Sequence, residues 1–145
     1  TQLTEYRYSP ELNAVDFATP FVRAQARWML KDVDGALEDA DRSVKLGPRD
    51  PEAYTLRAQL RFGAGNREGA LEDATKVVEL APKDPAGGRQ RSSIRWQLKD
   101  SDGALADLTK AVEAAPQDSV SYYVRGYYRQ APGSPGVYRR LGGSR

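Results

Sequence analysis

The sequence predicts an all-α fold, a solenoid built from stacked helix–turn–helix units. Three observations predict it: a 34-residue internal period, apolar residues at helical spacing inside each period, and Pro or Gly where those apolar stripes end. Neither helix of such a unit can bury its apolar stripe alone, so neighbouring units must stack to form a core. We expect about three full repeats followed by one terminal helix, or about seven to eight helices in total.

The period is visible in two sets of segments. The segments DGALEDADRSVKLGPRD, EGALEDATKVVELAPKD and DGALADLTKAVEAAPQD begin 34 residues apart, at Asp34, Glu68 and Asp102. The segments RAQARW, RAQLRF, RSSIRW and RGYYRQ keep the same spacing and begin at Arg23, Arg57, Arg91 and Arg125. Four blocks in one register do not arise by chance, so internal repetition organises the chain.

Each unit has two predicted helices. In the second unit, the first helix runs roughly from Glu52 to Phe62, and the glycine-containing residues 63–66 end it. The second helix carries an apolar stripe with three- and four-residue steps, formed by Ala70, Leu71, Ala74, Val77 and Val78. Pro82 closes this helix, because proline cannot continue it.

These features resemble the tetratricopeptide repeat, a 34-residue helix–turn–helix with an early aromatic, a small residue four later, Ala opening the second helix and a closing Pro. In the second unit these residues are Tyr54, Ala58, Ala70 and Pro82. The resemblance covers roughly residues 17–131. It implies a right-handed superhelical solenoid whose first helices line a concave face, where ligands of that family usually bind.

The resemblance divides the chain as follows. Residues 1–16 are an extension in which Ser9-Pro10-Glu11 is compatible with a short helix, since it looks like a cap and a first turn. Full repeats follow at 17–50, 51–84 and 85–118, then a partial fourth repeat with one helix at 119–131 and a basic, flexible tail at 132–145. The first and third repeats depart from the pattern, with Pro20 and Gly88 at the aromatic position.

Every first helix contains two arginines one turn apart, and in the full units an Asp follows sixteen residues after the first of them. Two antiparallel helices can bring these positions together, and guanidinium and carboxylate can bond in a bidentate way. We therefore predict the structural ion pairs Arg23–Asp39, Arg57–Asp73 and Arg91–Asp107. The second arginine of each helix either shares that Asp, bonds a neighbouring helix or projects outwards to a ligand.

The expected partner-binding residues lie on the concave face and are carried over from the family by position. They are Phe21, Gln25, Trp28, Met29, Thr55, Gln59, Phe62, Arg89, Ser93, Trp96, Gln97, Tyr123 and Tyr127. A row of aromatics separated by polar side chains suits an extended or helical peptide. The alternative is that these aromatics pack between adjacent first helices. The third unit lacks the basic, Asn-containing pattern with which chaperone-binding members hold a carboxyl terminus, so that activity is not expected.

The carboxyl-terminal end differs in charge from the rest. Residues 1–118 contain 17 basic and 20 acidic residues, a net charge of −3, whereas residues 119–145 contain five arginines and no acidic residue, a net charge of +5. Arg125 and Arg129 have no Asp sixteen residues on, so with Tyr128 they are predicted to form an edge that contacts a partner. The alternatives are stacking on a second copy, contact with nucleic acid through arginines and stacked tyrosines, and a plain capping helix.

The function predicted from these features is a protein-binding scaffold rather than an enzyme. The chain contains no His and no Cys, which removes the usual general base, the usual nucleophile–base pairs and the commonest metal ligands. No catalytic residue, metal site or cofactor is expected. No stretch has the 18 apolar residues of a membrane span, and no charged-then-apolar leader occurs. We expect a soluble protein, cytoplasmic or exported, with a protein or peptide partner, a homo-oligomer as an alternative and nucleic acid disfavoured.

Overall fold

The computed structural model describes residues 18–132 and 134, which form seven α-helices and no strand. The helices are α1 Ala18–Met29, α2 Val33–Leu46, α3 Pro51–Gly63, α4 Arg67–Leu80, α5 Pro85–Gln97, α6 Ser101–Ala114 and α7 Ser119–Gln130. The predicted all-α class of repeated helix–turn–helix units is confirmed. The predictions of a short helix within 1–16 and of a flexible tail fall outside the described residues, apart from residues 132 and 134 of the tail.

An Asp or Asn side chain caps the amino terminus of six helices. Each accepts a hydrogen bond from a backbone N–H of the first turn, and the caps are Asp32, Asp50, Asn66, Asp84, Asp100 and Asp118. Pro51 and Pro85 follow their caps directly, where the missing N–H of proline has no cost. These signals set the helix starts, and α3 begins one residue before the predicted Glu52.

The turn inside each hairpin uses a left-handed backbone residue at the same place in the period. Lys31, Gly65 and Lys99 have φ angles of 64°, 89° and 66°. Only the second of these positions carries glycine, which adopts this conformation without a steric cost. The chain therefore turns identically in all three hairpins, although two of them use a residue that adopts this backbone less readily.

The described residues fall into two compact units, one ending at Leu80 and the other beginning at Ala81. In the first unit, α1 packs against α2, α2 against α3, and α3 against α4. Its core is built on small residues, because alanines let the helices approach closely. The fully buried alanines of this unit are Ala24, Ala36, Ala40, Ala53, Ala58, Ala70 and Ala74. Leu56 and Leu60 fill the core between them, with Phe21, Trp28 and Leu37 packed around it.

In the second unit, α5 packs against α6 and α6 packs against α7. Leu108 is completely buried and lies with Ala104 and Tyr128 at the centre of this core. Trp96, Leu105 and Val124 pack around that centre. The terminal helix α7 is therefore attached to the rest of its unit through an aromatic and apolar contact with α6.

Candidate functional site

One carboxylate on the second helix of each hairpin is almost completely buried. Asp39, Asp73 and Asp107 are exposed by only 1%, 3% and 2%. The arginine sixteen residues earlier donates two hydrogen bonds to each of them. Nη2 lies 2.6, 2.7 and 2.7 Å from Oδ1, and Nε lies 2.8, 2.9 and 3.0 Å from Oδ2, in the pairs Arg23–Asp39, Arg57–Asp73 and Arg91–Asp107. The contacts have the bidentate geometry expected from the sequence.

The second arginine of each first helix shares the same carboxylate. The Nη1 atoms of Arg27, Arg61 and Arg95 lie 3.0, 3.0 and 2.9 Å from Oδ2 of Asp39, Asp73 and Asp107. The same Nη1 atoms also donate to the carbonyl oxygens of Gly35, Gly69 and Gly103 at 3.1–3.3 Å. Of the three alternatives for these arginines, the structure shows the first: each contacts the same Asp as the first arginine of its helix. We call each set of two arginines and one Asp an Arg–Asp–Arg triad.

The electrostatics of the triads keep the arginines charged. The hydrogen bond to Asp39 raises the pKa of Arg23, against the opposing effect of burial. Burial lowers the pKa of Arg57, but hydrogen bonds and charge attraction from Asp73 and Asp41 outweigh it and raise the pKa overall. An ordinary guanidinium already stays protonated at physiological pH, so Arg23 and Arg57 remain cations in these ion pairs.

Asp41 and Asp118 lie outside the triads and pair with arginines at spacings that the sequence analysis did not consider. Asp41 of α2 lies 2.8 Å from Nη1 of Arg57, which ties the second hairpin to the first within the same unit. Asp118, the cap of α7, pairs with Arg89 of α5 and accepts a hydrogen bond from the Ser121 hydroxyl. The hydrogen bond from the Ser121 hydroxyl, with the charge of Arg89, holds the pKa of Asp118 below its ordinary value, against an opposing effect of burial.

Arg89, predicted to face a partner, makes a contact within the chain that the sequence analysis did not predict. Its guanidinium is bound within the chain, to Asp118 and to the Ser121 hydroxyl at 3.4 Å. The physical reason is that α7 begins beside α5, so its capping carboxylate is the nearest anion to Arg89. Asp118 was identifiable in advance as an Asp in front of a predicted helix, which is a typical capping position.

An open groove lies in the first unit between α1 and α3. It has a volume of about 420 Å³ and is lined by Gln25, Trp28, Met29, Leu56, Gln59 and Leu60. Four of these six residues are among those predicted for the concave face, and Leu56 and Leu60 form the apolar floor beneath them. Met29 is 75% exposed, and the two glutamines are also exposed. The groove therefore combines an apolar floor with two accessible amides.

The other predicted residues of the first unit are more enclosed. Phe21 packs on the core, Phe62 is half-buried, and the Thr55 hydroxyl donates to the carbonyl oxygen of Pro51 at 2.9 Å. Trp28 is half-buried and packs both on the core and over Gly63, whose added Cβ would lie 2.5 Å from the indole ring. Its ring forms one wall of the groove while its remaining surface holds α1 against α3.

In the second unit, Trp96 stacks on Tyr128 with ring centroids 4.2 Å apart and planes 6° from parallel. For Trp96 the alternative of packing between first helices is therefore the observed arrangement. Tyr128 is only 9% exposed, which corrects its assignment to a partner-binding edge, because its ring is used for the contact with α5. Burial raises the pKa of Tyr128, against an opposing hydrogen bond with Ser93.

The remaining predicted residues of the second unit are accessible. Tyr123 and Tyr127 are 74% and 62% exposed, and Ser93 and Gln97 are also exposed. Arg129 is exposed and Arg125 lies over the ring of Tyr122 at 5.4 Å. Among the described residues, no group of His, Cys, Asp or Glu side chains is arranged to hold a metal ion, and no helix is both long and apolar enough to cross a membrane.

The comparisons with known proteins agree with this architecture. The family profile for the tetratricopeptide repeat matches residues 51–84 and 90–118, which contain α3 with α4 and most of α5 with α6. The chain contains tetratricopeptide repeats. No curated protein sequence matches the chain significantly.

Solved structures of tetratricopeptide repeat proteins share the fold at low sequence identity. TTC0263 from Thermus thermophilus has a TM-score of 0.76 at 17% identity, covering 89% of this chain and 72% of that protein. MamA has a TM-score of 0.76 at 14% identity, covering 97% and 75%. The first tetratricopeptide domain of Spaghetti (RPAP3), solved with an HSP90 peptide, has a TM-score of 0.69 at 18% identity, covering 79% and 90%. At these identities the likeness establishes the fold.

Proposed function

We propose that this tetratricopeptide repeat protein is an interaction scaffold that binds a peptide segment of a partner protein in the groove of its first unit. The observation that carries the proposal is the groove itself, about 420 Å³ of open space with an apolar floor and accessible amides. Concave, mostly apolar surfaces with a few polar groups are typical of binding sites. The peptide-bound Spaghetti domain supports the proposal, because it is a similar fold that holds a peptide.

The side chains of the groove favour an uncharged, apolar peptide. None of the six lining residues carries a charge. Trp28 and Met29 offer apolar contact area, and thioether side chains adapt to differently shaped ligands. Gln25 and Gln59 each provide a donor and an acceptor with which the backbone of an extended peptide can pair. A groove of this composition provides no cation for a ligand's terminal carboxylate, so we do not propose binding of an acidic chaperone tail here.

The test uses exposed groove residues, because alanine variants of Trp28 or Trp96 would also remove packing contacts. Random peptides displayed on phage are selected against the native chain, and the best binder is measured by fluorescence anisotropy. Met29→Glu combined with Gln59→Glu places two charges at the groove and is expected to weaken binding by more than about tenfold, since an apolar peptide must then desolvate them.

The matched control is Leu46→Glu, which puts a charge on a 38% exposed apolar residue of the same unit outside the groove. It is expected to bind the peptide like the native chain. Equal binding by the native chain and the groove variant would show that the peptide lies elsewhere. Circular dichroism of all three proteins verifies that the substitutions leave the helices intact.

A further inference from the structure

Helix α7 occupies the place of a first helix in the repeat. Among the described residues, no following helix supplies the carboxylate that would complete a triad with its arginines. Arg125 and Arg129 are the counterparts, 34 residues on, of Arg91 and Arg95. In α1, α3 and α5 the two arginines share a buried Asp supplied by the following helix. Among the described residues, neither Arg125 nor Arg129 pairs with a carboxylate. The two cations are therefore available for an anion of the same geometry.

Among the described residues, no second helix follows α7 to fill the space that such a helix fills in the other hairpins. The residues equivalent to Gly126 are Ala24, Ala58 and Ser92, and all three are completely buried. An added Cβ at Gly126 meets no atom of the described residues within 4 Å. An open position without a side chain, between two arginines, allows another helix to approach the backbone of α7 closely.

Arg125 shares one contact with Arg57, the first arginine of the second triad. Its guanidinium lies 5.4 Å from the ring centre of Tyr122, as the guanidinium of Arg57 lies 5.7 Å from that of Tyr54. Arg57 in this arrangement bonds Asp73 in a bidentate way. Tyr122 is 44% exposed, so it adds apolar contact area next to the cations. We call Tyr122, Arg125, Gly126 and Arg129 the open face of α7.

The chain does not supply the missing carboxylate from the residues that follow α7. Residues 131–145 contain no Asp and no Glu, and two of the arginines in that segment, Arg139 and Arg140, add positive charge instead. Charge complementarity therefore favours an acidic group from outside residues 131–145. The three internal hairpins show which acidic group fits, since in each the partner is an Asp on a helix, next to small residues.

We propose that the open face of α7 binds an acidic amphipathic helix of a partner protein, laid against α7 as α4 lies against α3. One Asp of the partner helix accepts two hydrogen bonds from Arg125 and one from Arg129, forming a fourth triad across the interface. Small residues beside that Asp lie over Gly126. This site is distinct from the groove of the first unit and does not depend on it.

The probe is a fluorescein-labelled peptide with the sequence of residues 67–80, REGALEDATKVVEL, which contains the Asp of the second triad. Binding to the full chain is measured by fluorescence anisotropy, and helix formation by circular dichroism. We expect binding with a gain of helicity. The same peptide with Asn at the position of Asp73 is expected to bind more than about tenfold more weakly, because a charge-assisted bidentate contact is lost.

Three protein variants locate the site. Arg125→Gln with Arg129→Gln is expected to weaken binding of the peptide by more than about tenfold. Arg139→Gln with Arg140→Gln removes the same charge from the following segment and is expected to change binding by less than about twofold, because neither arginine belongs to the proposed triad. Gly126→Leu fills the open position and is expected to block binding while leaving both arginines in place.

Two results would overturn the proposal. If the native chain, the Arg125/Arg129 variant and the Gly126 variant bound the peptide with equal affinity, the peptide would lie elsewhere. If the Arg139/Arg140 control lost as much affinity as the Arg125/Arg129 variant, the effect would be one of net charge. Sedimentation of the native chain without peptide identifies a second copy as the occupant if it reveals dimers that the Arg125/Arg129 variant abolishes. Tighter binding of a single-stranded oligonucleotide than of the peptide, lost in the same variant, would instead assign the face to nucleic acid.

Discussion

Burial of a carboxylate is the main energetic problem at three residues, Asp39, Asp73 and Asp107. Each is buried, and each forms ion pairs with two arginines. Taking a carboxylate out of water costs several kcal/mol unless hydrogen bonds and opposite charges replace the solvent. Here the surrounding guanidinium groups do so, which explains why two cations one helical turn apart are stable next to each other.

Replacing Asp39 with Asn is expected to lower the free energy of unfolding by about 3–5 kcal/mol, because it leaves Arg23 and Arg27 without their shared anion. Replacing the whole triad with Arg23→Met, Arg27→Met and Asp39→Leu is expected to cost less than about 2 kcal/mol, since no buried charge remains. Urea denaturation followed by circular dichroism measures both values.

Glu38→Gln is the matched control, because Glu38 is the exposed neighbour of Asp39 and its change is expected to stay within about 0.5 kcal/mol. If the single Asp39→Asn change cost no more than the replacement of the whole triad, the carboxylate would not be compensating the two arginines as described.

The sequence predicted the partner of the first arginine in each triad but left the partner of the second undecided, for a physical reason. A sixteen-residue spacing places Arg23 opposite Asp39 in an antiparallel hairpin, whereas a twelve-residue spacing places Arg27 at the same carboxylate only if the helices are close enough. That closeness depends on the buried alanines, which spacing alone does not reveal. Arg89 was missed for a different reason, since its partner Asp118 begins the next element of the repeat.

Small residues decide how closely the helices approach, and the period determines where these residues must be small. The Trp28 indole lies over Gly63 at a distance that excludes a Cβ, so the first unit depends on glycine at the end of α3. Gly126 of α7 is in the opposite situation, with open space around it. The two glycines therefore predict opposite effects for the same substitution.

Gly63→Ala is expected to lower the free energy of unfolding by about 1–3 kcal/mol, because the methyl group forces the Trp28 ring to move. Gly126→Ala is expected to raise it by about 0.5–1 kcal/mol, because Ala favours the helix and meets no neighbour. The urea midpoints of the two variants give the comparison. A stabilised Gly63→Ala protein would mean that Trp28 does not hold α1 against α3 in the way the structure describes.

The extents of the helices were predictable within a residue or two, because capping residues and Pro or Gly mark them. The prediction of Glu52–Phe62 for α3 compares with Pro51–Gly63 in the structure, and Asp50 is the cap that moves the start. The contacts of the aromatic side chains were less predictable. Trp28 and Trp96 occupy equivalent positions, yet one lines the groove and the other stacks on Tyr128, because the residue at the Tyr128 position of the period is Leu60 in α3.

Each Arg–Asp–Arg triad lies within a single hairpin of the repeat array. In repeat proteins, stability is approximately a sum of repeat terms and nearest-neighbour terms, so a local lesion has a local effect. Asp107 serves only Arg91 and Arg95 among the described residues, and all three belong to the second compact unit. The first unit has its own triads.

Asp107→Asn is therefore expected to reduce hydrogen-exchange protection in α5, α6 and α7 by more than about tenfold, with less than about threefold change in α1 and α2. Asp39→Asn is expected to give the reverse pattern. Hydrogen–deuterium exchange with mass spectrometry at neutral pH resolves the two regions. A uniform loss across α1 to α7 in both variants would indicate that the described chain opens as a single cooperative unit.

Because each triad lies within one hairpin, its position also affects which deletions and duplications the gene can tolerate. An in-frame deletion or duplication of one 34-residue period carries both arginines together with their Asp, so it leaves no buried charge unmatched. The pairs that Asp41 forms with Arg57 and Arg61 are the exception, since they join two periods, but Asp41 is half-exposed and water can replace the lost partners there. Unequal recombination can therefore lengthen or shorten the array at little cost in buried charge, and the chain already carries three copies of such an exchangeable segment.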